Sequence, residues 1–238
     1  MTHAFGASPG SEPPFHDVVR TTPATRGFTS DPLPDDVLHR ILDGARFAPS
    51  GGNRQGWRVI VVRDRATRRR LRDLYQLAWR EYIGHVAEGK VPFAPGSDRR
   101  WTEPSIDIDA ARSTARPNPF ADSLDDVPVM LVVVVDLTVL AVLDNGLDRQ
   151  SIVGGGSIYP FCHNILLGAR AEGYGGVLTT AICREEDAVR HLLAIPDPYA
   201  VAGLMALGRP VREIRRLRRE PVERFTTVDR FDGPTFTV

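Results

Sequence analysis

A ten-residue stretch at positions 48–57, Ala-Pro-Ser-Gly-Gly-Asn-Arg-Gln-Gly-Trp, contains residue types that bind a flat ligand with polar edges. Its glycines let the backbone approach a ligand closely, while Ser50 and Asn53 offer a hydroxyl and an amide that donate and accept. An amphipathic pattern typical of a helix precedes the stretch, and an apolar run at 57–62 that indicates a strand follows it. A helix stop followed by a tight turn explains the same composition, because Pro and Gly are common in turns.

Sequence motifs for side-chain catalysis or nucleotide binding are absent from the rest of the chain. It has no GxSxG, no GxGxxG after a strand and no GxxxxGK[ST]. Gly154-Gly155-Gly156-Ser157 suits a phosphate at a helix start, although a flexible turn ending in Ser157 as a helix N-cap is the simpler interpretation. We therefore expect a cofactor to carry the chemistry, and we name no catalytic residue.

Composition excludes several classes of function. Thirty basic and thirty acidic residues cancel, so no net charge favours nucleic acid or an anionic membrane as a partner. The six histidines are scattered and Cys162 and Cys183 lack CxxC spacing, so we expect no metal site and a buried free thiol at Cys162. No secretory signal is evident, and the apolar region 127–143 indicates a buried strand at 129–135 rather than a membrane span. The expected compartment is the cytoplasm.

Hydrophobic periodicity predicts how the chain is organised. Helices are expected from residue 15 to before Pro23, at 34–45, 65–88, 157–172 and 185–194, and strands at 57–62, 127–137, 175–182 and 201–207. Residues 1–14 are expected to be a disordered tail and 15–238 a single domain. Residues 89–126 are rich in Pro, Gly, Arg and Asp, so they are a predicted lid or substrate loop with Phe93, Trp101 and Phe120 as stacking residues.

Four separated segments together resemble the nitroreductase family of FMN-dependent oxidoreductases. They are Thr25-Arg26-Gly27-Phe28, the 48–57 loop, the stretch 173–180 that begins Gly-Tyr-Gly, and Arg219-Glu220-Pro221, with Asn164 between the second and third. The resemblance covers about residues 18–227. It implies that Arg26 and Arg219 bind the FMN phosphate, a role that arginine performs bidentately. The alternative is that Arg26 and Arg219 are solvated surface residues, because arginine is common throughout this chain.

The resemblance also implies the ring site, with Asn53 on the pyrimidine edge and Gln55 supporting the loop or lying near the ribityl chain. The family usually has Arg and Ser where this chain has Thr22 and Ala24, so either the Thr22 hydroxyl or Arg20 would have to compensate. Ordinary strand composition also explains the two threonines near the end of the third predicted strand. The full expected cofactor site is Thr22, Ala24, Arg26, Ser50, Gly51, Asn53, Gln55, Leu178, Thr179, Thr180 and Arg219.

Alternating helices and strands alone suggest an α/β domain, whereas the resemblance implies an α+β fold. That fold is a three-layer α/β/α sandwich with a mixed, mainly antiparallel sheet, in a homodimer that binds FMN at its interface. The implied activity is hydride transfer from NAD(P)H through flavin N5 to a nitroaromatic, a quinone or a similar substrate, with ping-pong kinetics. A flavin-cleaving or dehalogenating enzyme, a flavin-sequestering protein and a flavin-free structural protein remain alternatives.

Overall fold

A sheet of four antiparallel strands organises the computed structural model, which describes residues 13–97, 99–101, 104–214 and 216–238. The strands are β1 (Trp57–Val61), β2 (Val129–Asp136), β3 (Gly175–Thr179) and β4 (Tyr199–Gly208), in the order β1-β2-β4-β3. A single parallel bridge joins Ala24 to Gly176 beside β3. The predicted tail at residues 1–14 lies outside the described residues except for its last two.

Helices cover both faces of the sheet. They are α1 (Phe15–Arg20), α2 (Asp35–Ala45), α3 (Arg65–Ala87), α4 (Ile108–Ser113), α5 (Pro119–Asp122), α6 (Tyr159–Ala171) and α7 (Glu186–Leu192). The side chains of β2 alternate: Leu131 and Val133 pack with α2 and α6, while Met130 and Val132 pack against the other face, where α3 lies. The predicted α+β three-layer sandwich with a mainly antiparallel sheet is therefore confirmed.

A β-bulge in β4 changes which face its side chains reach. Val133 pairs with Gly203 and Val134 pairs with Val201, so Ala202 is the extra residue. As a result Ala202 packs with the α2–α6 core, whereas Leu204, also at an even position, packs with the α3 core. This switch keeps both halves of β4 buried although the strict alternation of the sequence is interrupted.

Three sequence expectations differ from the structure in detail. The strand predicted at 175–182 ends at Thr179, and Ala181–Glu185 form a 3₁₀ turn instead. The helix predicted from Ser157 begins at Tyr159, after a 3₁₀ turn at Val153–Ser157, and Ile158 rather than Ser157 occupies the N-cap position. The 89–126 region, which the sequence suggests is irregular, contains the short helices α4 and α5. Asp107 and Asn118 begin these helices by accepting hydrogen bonds from backbone N–H groups of the first turn.

Candidate active site

A cavity of about 790 Å³ lies against the C-terminal end of β3 and one face of α3. This volume is in the range of sites that bind small molecules and cofactors. Polar groups line one part, where Arg26, Thr179 and Thr180 are found, and aromatic rings line another. Three of the predicted cofactor-binding residues are thus brought together in one cavity.

Arg26 reaches this cavity because residues 22–26 run alongside the edge strand β3. Thr25 donates its backbone N–H to the Gly176 carbonyl at 2.8 Å, which fixes this segment on the sheet. Thr25 is buried, whereas its neighbours Ala24 and Arg26 are exposed, as expected for extended backbone with alternating side chains. In the described part of the chain the Arg26 guanidinium has no ion pair with an acidic side chain.

Tyr75, on α3, completes the polar part of the cavity. The hydroxyl of Tyr75 lies close enough to the Thr179 side chain and to Arg26 for both to interact with it. Burial raises the pKa of Tyr75, so the phenol stays protonated near neutral pH. Tyr75, Thr179 and Arg26 therefore present donors on one side of the cavity.

The end of β3 divides its predicted site residues between the two faces of the sheet. Thr179 and Thr180 line the cavity, and Thr180 begins the 3₁₀ turn Ala181–Glu185. The side chain of Leu178 packs instead with the α2–α6 core and does not line the cavity.

Aromatic side chains form the second part of the cavity. Trp79 and Tyr82 on α3 stack with ring centroids 5.5 Å apart, and Phe93 packs edge-on against Trp101 at 6.0 Å. Phe120 also lines the cavity, although it is mostly buried in the α3 core. The structure therefore places all three predicted stacking residues of the 89–126 region beside this cavity, against the long helix α3.

A buried carboxylate anchors the arginine of the aromatic part. Glu81 is fully buried and accepts hydrogen bonds from Arg112 at 2.6 Å and from Arg184 at 3.1 Å, while Glu185 pairs with Arg112. The guanidinium of Arg184 lies 5.1 Å from the ring centroid of Trp101. Two acids and two arginines cancel, so this cluster is electrically neutral.

The 48–57 loop is held by hydrogen bonds within itself and to Ser157. Ser50 Oγ accepts the Gln55 backbone N–H at 3.0 Å, and Gln55 Nε2 donates to Asn53 Oδ1 at 3.1 Å, which orients the Asn53 amide. Ser157 Oγ accepts the Gly51 N–H at 3.0 Å. Gly52, Asn53 and Gln55 have positive φ, a conformation that favours Gly and Asn. None of the four predicted site residues in this loop lines the cavity described above.

The loop and the cavity lie at the same end of the sheet but at its opposite edges. The loop leads into β1, and the cavity abuts the end of β3, with β2 and β4 between them. Three strand spacings of about 4.8 Å separate these edges by about 14 Å. One copy of the chain thus presents the predicted ring-binding loop and the predicted phosphate-binding arginine as two separate surfaces.

The remaining predicted residues lie outside the cavity. Thr22, just after α1, donates its hydroxyl to the Val18 carbonyl of that helix at 2.6 Å, so this hydrogen is already used. Arg219 is exposed in the C-terminal segment, where its guanidinium donates to the Arg218 carbonyl at 2.7 Å. Cys162 is a buried free thiol, as predicted, and burial raises its pKa to about 12.

The described residues contain neither a cluster of metal-binding side chains nor a membrane-spanning helix. No group of three or more His, Cys, Asp and Glu side chains is close enough to hold a metal ion among them. Within the same residues, no helix is long and apolar enough to cross a membrane.

The fold and the cavity define a class of protein, and comparisons with known proteins identify the family. The chain is 28% identical over 205 residues to an NADH dehydrogenase of Thermus thermophilus, and this alignment covers 84% of the chain and 88% of that protein. It is 23% identical over 199 residues to iodotyrosine deiodinase 1 of Rattus norvegicus, covering 83% of this chain and 62% of the relative. An NADPH:FMN oxidoreductase from Vibrio harveyi, solved with NAD+, superposes with a TM-score of 0.63 at 17% identity, over 92% and 78% of the two chains.

Residues 19–209 match the model of the nitroreductase family, and the chain belongs to that family. It is an NAD(P)H-dependent oxidoreductase of a flavoprotein family. The resemblance drawn from the four sequence segments is confirmed.

The cavity residues that the sequence does not point to are Trp79, Tyr82 and Arg184. Trp79 and Tyr82 follow Tyr75 at the spacing of one helix face, which equally describes residues that pack in a core. Arg184 lies in an arginine-rich chain, and its pairing with Glu81 spans 103 positions in the sequence. Only the fold brings these residues together.

Proposed function

We propose that the chain is an FMN-dependent enzyme that takes hydride from NADH or NADPH and reduces an electron-poor planar molecule such as a nitroaromatic or a quinone. The observation that supports this most is the cavity itself. Arg26, which has no acidic partner among the described residues, lies at one part with threonine hydroxyls, and stacked aromatic rings lie at another. The residues present fit FMN, since a phosphate needs a free cation and a flat ring needs apolar walls and polar edges.

In this proposal the residues of the chain bind and orient the cofactor. Arg26 and Arg219 hold the phosphate, and Ala24 leaves room beside it. Thr179, Thr180 and the Leu178 backbone face the reactive side of the ring, while Asn53, fixed by Gln55, binds the pyrimidine edge with Ser50 and Gly51 beside it. Bound FMN supplies a ring nitrogen that accepts and returns a hydride, so no side chain has to act as an obligate acid or base. Both substrates would use the same cavity in turn, which predicts ping-pong kinetics.

We further propose a homodimer with FMN at the interface. The two predicted halves of the site lie at opposite sheet edges in one copy, so a second copy is needed to bring Asn53 near Arg26. The C-terminal segment that follows β4 supports this arrangement, because its Phe225, Phe231 and Phe236 are exposed. Large apolar side chains clustered in an exposed segment indicate a surface that packs on a partner.

Absorbance and turnover test the proposal. Purified protein should show flavin absorption bands and should oxidise NADH or NADPH steadily when menadione or nitrobenzene is added. A bound flavin that stays oxidised with both nicotinamides would contradict an oxidoreductase and favour a flavin-sequestering protein. A protein that does not bind FMN under any condition would remove the flavin from the proposal altogether.

Reductive dehalogenation is the second candidate, because the chain resembles iodotyrosine deiodinase 1. The chain spans 62% of the length of that relative. Release of iodide from a mono-iodophenol during NADPH oxidation, at a rate exceeding nitrobenzene reduction, would favour this candidate.

A further inference from the structure

Arg184, at the aromatic part of the cavity, lies outside the four family motifs and is held by a single carboxylate oxygen. Arg184 uses Nε and Nη2 to contact the same oxygen of Glu81, each at 3.1 Å. No hydrogen bond from its Nη1 is found among the described residues. The side chain is 30% exposed and lines the cavity, so this remaining donor group is accessible to a ligand.

Two aromatic rings and the buried carboxylate restrict the position of this guanidinium. It lies 5.1 Å from the Trp101 ring centroid and 5.9 Å from that of Phe93. Such cation–π contacts hold a planar guanidinium while leaving some of its N–H groups free. Glu81 itself is held by Arg112 from α4, so the carboxylate that orients Arg184 is itself fixed.

The charge balance of the cluster indicates which acceptor suits Arg184. Glu81 and Glu185 neutralise Arg112 and Arg184, so the aromatic part carries no net charge that would require an anionic ligand. A guanidinium N–H nevertheless remains a strong donor to a neutral oxygen. A nitro or quinone oxygen on a ring stacked between these aromatic side chains matches that donor.

We propose that Arg184 is a specificity-determining residue that donates a hydrogen bond to an oxygen of the nitro or quinone group of a planar substrate. Glu81 is the positioning residue that orients the Arg184 guanidinium. This inference rests on the proposed function and names the group that distinguishes good substrates from simple aromatic molecules. Arg26, at the other part of the cavity, is left to the cofactor phosphate.

Equilibrium binding to the oxidised holoenzyme tests this role without turnover. Calorimetry would compare 4-nitrobenzyl alcohol with 4-methylbenzyl alcohol, which has a similar shape but lacks the acceptor oxygens. In R184Q the dissociation constant for the nitro compound should rise by roughly 5- to 30-fold, while that for the methyl compound should change less than about twofold. R184K should recover part of the loss, and R70Q, at an exposed position of α3, should behave as wild type.

Glu81→Gln should reproduce the selective loss of nitro-compound binding if Glu81 acts through Arg184. Equal weakening of both ligands in R184Q would show a packing role and overturn the inference, as would unchanged binding of the nitro compound. A wild-type holoenzyme that binds neither compound would also overturn it. NADPH oxidation with ferricyanide, which does not need the aromatic part, tests the proposed oxidoreductase separately. A failed ferricyanide assay would therefore count against the proposed oxidoreductase, whereas a failed binding test would count only against the role of Arg184.

Discussion

Arg26 is the residue on which the proposed phosphate site depends most. It lines the cavity and lacks an acidic partner in the described part of the chain, whereas many arginines here form ion pairs. Arg26→Ala should raise the FMN dissociation constant by roughly 10- to 150-fold, the equivalent of one charge-assisted hydrogen bond of about 1.5–3 kcal/mol. Quenching of FMN fluorescence during titration of the apoprotein measures this.

The control for Arg26 removes the same charge elsewhere. Arg70→Ala, on the exposed surface of α3, should leave FMN affinity unchanged. Equal affinities of wild type and Arg26→Ala would mean that the phosphate binds elsewhere in the protein.

Because Gly203 has no side chain, β4 packs closely against the end of β3. A Cβ there would lie 2.9 Å from Leu178 Cδ1 and 3.0 Å from the Thr179 carbonyl oxygen. Gly203→Ala should therefore lower the free energy of unfolding by about 1–3 kcal/mol and weaken FMN binding, because Thr179 has to move. Urea unfolding with Gly146→Ala as the control is suitable, since nothing lies within 4 Å of that position. Wild-type stability in Gly203→Ala would show that the β3–β4 contact is not tight.

The loop between β2 and α6 is held by one buried carboxylate. Asp144 accepts hydrogen bonds from the Ile152 backbone, Arg149 and Ser151, and these, led by the Ile152 N–H, hold its pKa well below the ordinary value. A lowered pKa means that its stabilisation is present above about pH 4 and is lost as the pH falls below that value. The stability difference between wild type and Asp144→Asn should be largest at pH 7 and should shrink by pH 3, as measured by denaturant unfolding. A difference independent of pH would contradict this assignment.

Sequence patterns predict the elements of this chain better than their arrangement. The unbroken apolar run of β2 and the helical spacing of α2 give their ends within a residue or two, because a strand buried on both faces is apolar throughout and a helix buried on one face is apolar every three to four residues. The β-bulge at Ala202 and the strand order β1-β2-β4-β3 depend on contacts between distant segments, so no local pattern specifies them. The sequence predicts Arg26 as a ligand-binding residue from its local motif, and the structure places Arg26 in the cavity. The Glu81–Arg184 pair has no such local signal, since it joins segments 103 positions apart.

At the scale of the whole molecule, the C-terminal segment should stabilise the proposed dimer. Phe231 is fully exposed in one copy, at 101% of its reference area. Phe231→Asp should shift the protein toward monomer, because burying an unpaired carboxylate at an interface is unfavourable. Sedimentation velocity over a range of protein concentrations measures this shift. Phe15→Asp, at another exposed phenylalanine outside that segment, is the matched control. An unchanged dimer in Phe231→Asp would remove this residue from the interface.

The placement of the 48–57 loop and the β3 cavity at opposite sheet edges has a consequence for mixed populations of defective chains. If each site takes Asn53 from one chain and Arg26 from the other, a hybrid of Asn53→Ala and Arg26→Ala chains contains one doubly damaged site and one undamaged site. Random pairing of the two weakened variants would then restore about a quarter of the sites, by complementation between chains. Co-expressed variants should therefore retain more FMN at a limiting FMN concentration than either variant alone. If both residues served the same site from a single chain, mixing would recover nothing.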